Sequence, residues 1–238
     1  MKPVDESIRQ SLSGAEVVLF DFDGPLCNVF AGLPAPTVAR QLESLTGRTF
    51  DTDDPLEVIR QSAELGTVAL AIVEDALVSA ELQAVSRSVA EAGGVNALSA
   101  CLASGFRVGV VTNNSALAVT AFLEILDLAR SVAPVVGRVA GHPELMKPNP
   151  WPLLQALDEL KVAPDRAVFV GDSTTDIEAA SRAGIPCLAL ANKPHKVALF
   201  EGLGAVVISS MWDLAAAARE GPCGGASGGA AEEQGGLT

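Results

Sequence analysis

Basic residues are in deficit: 16 Lys+Arg stand against 29 Asp+Glu, a formal net charge of −13. That balance excludes nucleic acid and anionic membrane as partners held through an extended basic surface. A small anionic substrate stays open, because it needs only local positive charge. Long apolar runs are missing too. Gly, Ala and charged residues interrupt every hydrophobic stretch well short of the roughly 20 residues of a membrane helix. Cysteine is scarce, and Cys27, Cys101, Cys187 and Cys223 form no CxxC pair and no dense framework. Reduced thiols in a cytoplasmic protein are expected. The polar start, MKPVDESIRQSLSGAE, lacks the apolar core of a secretory leader, and no internal repeat is visible. What the chain does have is aliphatic residues: of 238 residues 49% are hydrophobic, while aromatics make up only 4%. A chain of this length with apolar residues spread evenly forms one or two domains with a sizeable core.

Short apolar runs recur at residues 17–20, 107–112, 135–139, 167–170, 187–190 and 205–208. Most are β-branched and unalternating, the pattern of strands buried on both faces. Helical patterns lie between them at residues 116–129, 151–160, 176–183 and 211–219. The alternation predicts an α/β fold: a parallel sheet with helices on both faces. Residues 28–88 break the rhythm. They contain no good strand candidate and read as helices over residues 36–45, 55–65 and 67–88, a small helical domain inserted after the first strand. Residues 1–27 and 89–220 would then form the core. Residues 221–238 are rich in Gly, Ala and Glu, and a disordered tail is expected there.

In open parallel sheets, ligands bind beyond the carboxyl ends of the strands. The first strand ends in Asp21 and Asp23, the second in Thr112 with Asn113, Asn114 and Ser115. Lys147-Pro148 follows the third, and the fourth delivers Asp172, Ser173 and Asp176. Four carboxylates on one rim repel unless a cation sits among them. Hard carboxylate oxygens suit Mg²⁺, which readily shares a substrate phosphate. Lys147 adds positive charge, and the Thr112 hydroxyl, with backbone N–H groups at the start of the next helix, is placed to hold an oxyanion. The set fits a phosphate monoester and a magnesium ion together. Aspartates two residues apart can divide the labour, one attacking phosphorus and the other handling the leaving-group proton.

Asp21-Phe22-Asp23-Gly24-Pro25-Leu26, Thr112 after Val110-Val111, Lys147-Pro148, and Gly171-Asp172-Ser173 with Asp176 resemble the four ordered motifs of the haloacid dehalogenase superfamily. The resemblance covers roughly residues 15–27 and 90–215, and it lies nearest the C1-capped, phosphoglycolate phosphatase-like members. It implies a Rossmann-like core with a small inserted all-helical cap domain. It also implies Asp21 as the nucleophile that forms an aspartyl-phosphate, and Asp23 as general acid and then base. Thr112, Lys147 and the Asn113 backbone would bind the transferring phosphoryl group. Asp21, the Asp23 backbone carbonyl and Asp172 would ligate Mg²⁺, supported by Asp176. An aspartate two residues after the nucleophile favours phosphoryl transfer over dehalogenation.

The expected activity is hydrolysis of a small phosphorylated metabolite by a monomer or homodimer, with no nucleic acid or membrane partner. A phosphomutase of β-phosphoglucomutase type is the alternative, and a non-catalytic binding protein a remoter one. Ser173 and Asn114 read as helix caps, and Cys27 as a small buried filler. His142 and His195 lack an acidic or nucleophilic partner nearby and read as loop residues. Lys193-Pro194-His195-Lys196 is a basic patch that either touches substrate or faces water. Arg40, Arg48 and Arg60, in the insert, are candidates for substrate contact, none singled out.

Overall fold

A computed structural model describes residues 6–220. The expected tail, with Cys223, lies outside the described residues. In chain order the elements are α1 (Glu6–Leu12), β1 (Val17–Phe20), β2 (Cys27–Asn28), α2 (Ala35–Thr46), α3 (Pro55–Ser62), α4 (Thr67–Val85), β3 (Val89–Ala90), α5 (Ala92–Ala103), β4 (Arg107–Val111), α6 (Ala116–Ile125), β5 (Val132–Val136), α7 (Trp151–Leu160), β6 (Ala167–Gly171), α8 (Thr174–Ala183), β7 (Cys187–Leu190), α9 (Pro194–Gly202), β8 (Val206–Ile208) and α10 (Met211–Arg219). Six strands form one parallel sheet in the order β5-β4-β1-β6-β7-β8. One apolar cluster joins Phe20, Phe22, Val110 and Val170 to α5, α6 and α10. Another joins Leu19, Val111 and Phe169 to α7 and α8. Helices therefore cover both faces, and the unalternating strand sequences are explained: every residue of β1 and β6 is buried.

The register places the chemistry. Phe20 lies opposite both Val110 and Val170. The Asp21 N–H carries the ladder one residue further by donating to Val170 O at 2.8 Å. Asp21 is thus level with the last residues of β4 and β6, and Thr112 and Asp172 stand one step beyond.

Helices α2, α3 and α4 form the insert around their own core of Val38, Leu42, Val58, Ile59, Val73 and Leu77, which Met146 of the sheet domain completes. Pro55 opens α3 behind Asp54, whose side chain accepts from Leu56 N at 2.9 Å. The chain leaves and re-enters the sheet domain through the antiparallel β2–β3 ribbon, Cys27 opposite Ala90 and Asn28 opposite Val89. These two-residue strands have too short an apolar pattern to be read from sequence.

Several boundaries differ from expectation. The third long strand is Val132–Val136, not residues 135–139. Pro134 suggests a break, but β5 is an edge strand, where a missing N–H is tolerated. Helix α6 stops at Ile125 because Asp127 adopts a left-handed conformation, φ 58°. Three helices had no sequence signal strong enough to stand out. Helix α1 looks like a polar leader but buries Ile8 and Leu12. Gly93 and Gly94 mask the start of α5, and α9 begins within the basic patch.

Candidate active site

Asp21, Asp172 and Asp176 converge at the carboxyl edge of the sheet, each offering a carboxylate oxygen within 4.8 Å of the others. Lys147 lies among them, 2% exposed. Its Nζ is 2.8 Å from Asp21 Oδ1 and 2.6 Å from Asp176 Oδ1. It also donates to Val111 O at 3.3 Å and sits 5.3 Å from the centre of the Phe169 ring. The Lys147 loop is clasped to the loop after β4 by the Asn113 amide, whose Oδ1 accepts from Lys147 N at 2.8 Å and whose Nδ2 donates to Lys147 O at 3.1 Å. The Asn113 side chain thus fixes the backbone of the lysine, a role separate from the phosphate contact expected of its own backbone. Thr112 Oγ1 donates to Asn114 Oδ1 at 3.1 Å and accepts from Asn114 N at 3.2 Å, a tight loop at the tip of β4.

The aspartates occupy different environments. Asp176 is wholly buried, and its Oδ2 accepts from Asp172 N, Ser173 N and Ser173 Oγ, closing a capping box at the start of α8. Ser173 is the helix cap its sequence context suggests, but Asn114 is not: Ser115 caps α6, and the Asn114 side chain bonds Thr112 and Glu81 instead. Asp172 is half-buried, and Lys196 Nζ contacts its Oδ2 at 2.9 Å and its backbone carbonyl at 2.7 Å. Asp23 Oδ1 accepts from Val29 N at 3.0 Å.

Burial pushes Asp21 from 3.8 up to about 7; Asp176 adds to the rise, and Lys147 opposes it. Burial likewise pushes Asp23 up to about 6, partly offset by the Val29 hydrogen bond and reinforced by Asp172 and Glu81. Asp172 is raised by burial against the pull of Lys196. Burial works against the charge of Lys147, but Asp176 and Asp21 outweigh it and hold the ammonium well above the usual lysine range. A cavity of about 420 Å³ opens over this edge, lined by Asp23, Gly24, Asn28, Glu91, Asp172 and Lys193 among others. A groove of about 600 Å³ lies behind the Lys147 loop, between Arg60, Met146, Pro148 and Arg182, and contains none of the clustered aspartates.

The family profile for haloacid dehalogenase-like hydrolases matches residues 18–190. The chain belongs to that family. Among curated relatives, the phosphoglycolate phosphatase of Escherichia coli K12 is 40% identical over 93 residues, a match that takes in 39% of this chain and 36% of that protein's length. Among solved structures, CbbY from Rhodobacter sphaeroides in complex with phosphate superposes with a TM-score of 0.65 at 22% identity, over 84% of this chain and 96% of that one. A HAD-superfamily hydrolase from Ehrlichia chaffeensis superposes with a TM-score of 0.57 at 17% identity, over 87% of this chain and 98% of that one. These likenesses establish the fold.

For a haloacid dehalogenase-like chain, the donor set suits a hard divalent cation. Asp21 Oδ1 is buried and takes no well-angled hydrogen bond, with Lys147 as its close cation. Asp172 presents a carboxylate to the same point. Asp176 differs, because protein donors already occupy both of its oxygens.

The sequence motifs missed some of the site. Lys196 was visible only as part of a basic patch. Glu81 and Arg138, a buried pair with 2.7 Å between Oε1 and Nη1, were not singled out. The available signal was Glu74 and Glu81 standing seven residues apart, with the apolar residues Leu70, Val73 and Leu77 around them in the same helix. His142 does have an acidic partner, Glu144, with Oε1 2.9 Å from Nδ1, but the pair is exposed and remains a loop feature. Arg60 contacts the Lys147 loop by donating to Lys147 O at 3.3 Å.

Proposed function

We propose that this protein is a Mg²⁺-dependent phosphatase that hydrolyses a small phosphate monoester through an aspartyl-phosphate on Asp21. The observation that carries the reading is the buried ammonium of Lys147 between Asp21 and Asp176, with Asp172 beside them, at the end of the central strands. An anion-binding cation and a nucleophilic carboxylate share one point there, and a phosphoryl group needs both. The local similarity to phosphoglycolate phosphatases supports the same class.

An Asp21 carboxylate oxygen attacks phosphorus, and the bond to the ester oxygen breaks. Asp23, held near 6 and therefore able to carry a proton close to neutrality, protonates the departing oxygen. Lys147, the Thr112 hydroxyl and the Asn113 N–H hold the phosphoryl oxygens as charge shifts onto them. Asp23, now ionised, takes a proton from a water that attacks phosphorus; the bond between phosphorus and the Asp21 oxygen breaks, which frees inorganic phosphate and regenerates the carboxylate. Mg²⁺, held by Asp21, Asp172 and the Asp23 carbonyl with Asp176 as support, would neutralise phosphate charge. The insert, residues 28–88, acts as a cap that excludes water in the first step.

Hydrolysis of an aryl phosphate, with and without chelator, tests the reading. Turnover should require Mg²⁺, stop on chelation and return on readdition. No turnover across a broad phosphate panel, with folded protein and Mg²⁺ present, overturns it. Isomer formation from a hexose phosphate, instead of phosphate release, selects the phosphomutase alternative.

A further inference from the structure

We propose that Glu81, on the insert helix α4, is a positioning residue that sets the geometry of the phosphate-binding loop, so that seating the cap and assembling the phosphate pocket are one event. The inference rests on reading residues 112–115 as that pocket.

Glu81 is wholly buried, and each of its hydrogen bonds crosses from the insert into the sheet domain. Oε1 accepts from Asn114 Nδ2 at 3.1 Å and from Arg138 Nη1 at 2.7 Å, while Oε2 accepts from Ser115 N at 3.0 Å. Ser115 caps α6, and Asn114 holds the Thr112 hydroxyl. Two hydrogen bonds therefore separate the cap carboxylate from the hydroxyl assigned to the phosphoryl group. Arg138 ties the same loop from the other side. Its N–H donates to Asn114 O at 3.0 Å and its Nη1 to Asn113 O at 3.3 Å.

The neighbouring turns of α4 extend the pattern. Glu74, two turns before Glu81 and on the same face, accepts from Gly141 N at 2.8 Å. Gly141 belongs to the segment that leads into Lys147. Helix α4 thus touches the approaches to both phosphate-binding loops through two buried carboxylates, with the apolar Leu77 between them. A buried ion pair contributes little net stability relative to an apolar pair of similar volume. What the carboxylate provides, and an apolar side chain cannot, is an acceptor for the Ser115 N–H and the Asn114 amide.

Two variants separate positioning from simple structural support. Glu81→Gln removes the charge at nearly constant shape. The double variant Glu81→Met with Arg138→Met removes the whole pair and its desolvation cost. Three quantities are read: melting temperature, Mg²⁺ affinity by titration calorimetry, and inorganic phosphate affinity by calorimetry and by inhibition of aryl phosphate hydrolysis.

Glu81→Gln should weaken phosphate binding and lower kcat/KM by roughly 10- to 100-fold, the effect of losing a hydrogen bond to a charged group. Mg²⁺ affinity should stay within about twofold, because no oxygen of Glu81 hydrogen-bonds to Asp21, Asp172 or Asp176. The double variant should melt near the wild-type temperature, yet keep the weakened phosphate affinity. Recovery of both melting temperature and phosphate affinity in the double variant overturns the inference, as does wild-type phosphate affinity in Glu81→Gln. Should Glu81→Gln fail to fold, the double variant decides alone. If the wild type binds phosphate but hydrolyses no ester, the calorimetric comparison still decides the role of Glu81 while the phosphatase reading falls. A wild type that binds no phosphate overturns both.

Discussion

Asp21 and Asp23 are two residues apart and chemically alike, yet their surroundings assign them different work. Asp21 faces Lys147 at 2.8 Å, which pulls against the burial and the Asp176 charge that raise its carboxyl to about 7; a bound cation would add to that pull and favour the ionised nucleophile. Asp23 faces other acids, Asp172 and Glu81, and burial holds it near 6, which favours the proton it must deliver. Asp21→Asn should abolish aryl phosphate turnover while the circular dichroism spectrum and melting temperature stay near wild type; retained turnover would remove Asp21 from the mechanism. Asp23→Asn should slow both phosphorylation and dephosphorylation by roughly 10²- to 10⁴-fold, and rapid-quench measurement of the two steps checks this. Burial also governs the thiols. It raises Cys27 from 9.0 to about 11, and Cys101 and Cys187 to about 12, so at pH 8 they are neutral and poor nucleophiles. Because the folded values lie above the unfolded one, the stabilisation is complete below pH 9 and is lost as pH rises from there toward 12. Peptide mapping after alkylation at pH 8 should find Cys27 and Cys101 unmodified until the protein is unfolded.

Elements matter here for where they end. Strand β1 stops at Phe20, and the chain must turn sharply so that Asp23 and Asp172 share one edge. Gly24 makes that turn at φ +112°, and a Cβ there would lie 2.6 Å from Asp172 Oδ1. At the end of β6, a Cβ on Gly171 would lie 2.5 Å from Asp176 Cβ. Both glycines leave space for a carboxylate rather than serving flexibility. Gly24→Ala should cost about 1–3 kcal/mol in urea denaturation, the range for a strained backbone position, and weaken Mg²⁺ binding through displacement of Asp172. Wild-type affinity in that variant would show that the turn can relax. The start of α8 works in the same economical way, since the capping box that ends the loop also orients Asp176 toward Lys147.

At the scale of the whole molecule, a chain of net charge −13 gathers several of its acids at one edge of its sheet. Lys147 and Lys196 offset part of the repulsion among them, and a divalent cation would offset more. A ligand that binds only the folded state stabilises it by mass action. Saturation with Mg²⁺ at about 100 times its Kd should therefore add about 2.7 kcal/mol to unfolding free energy, visible as a higher melting temperature that chelation reverses. An unchanged melting temperature at saturating Mg²⁺ would count against the metal site. The insert is joined through one two-stranded ribbon but also shares core with Met146 and hydrogen bonds with loops 113–115 and 138–141. Its seating is therefore coupled to the site it covers. Among the described residues, no helix is long and apolar enough to cross a membrane.

The six strands of the sheet in chain order, the helices α6, α7, α8 and α10, the inserted helical segment and the positions of Asp21, Thr112, Lys147 and Asp172 were legible along the chain, whereas α1, α5, α9 and the β2–β3 ribbon were not. These are local facts: an apolar run of about four or five residues closes with Asp21, Thr112 or Asp172 at or just beyond its end, and Lys147 stands in a Lys-Pro pair after the next strand. Pairwise roles were not legible. That Asn113 clasps the Lys147 loop, that Asp176 spends its oxygens on Ser173 and Lys147, and that Glu81 reaches Ser115 and Arg138 depend on contacts between segments about 30 or more residues apart in most cases. Composition and periodicity record which face of an element is buried, but not what it is buried against. The buried ion pair became visible only when helix α4 and the loop after β5 met, where water no longer solvates a charge and each carboxylate must find its donors within the protein.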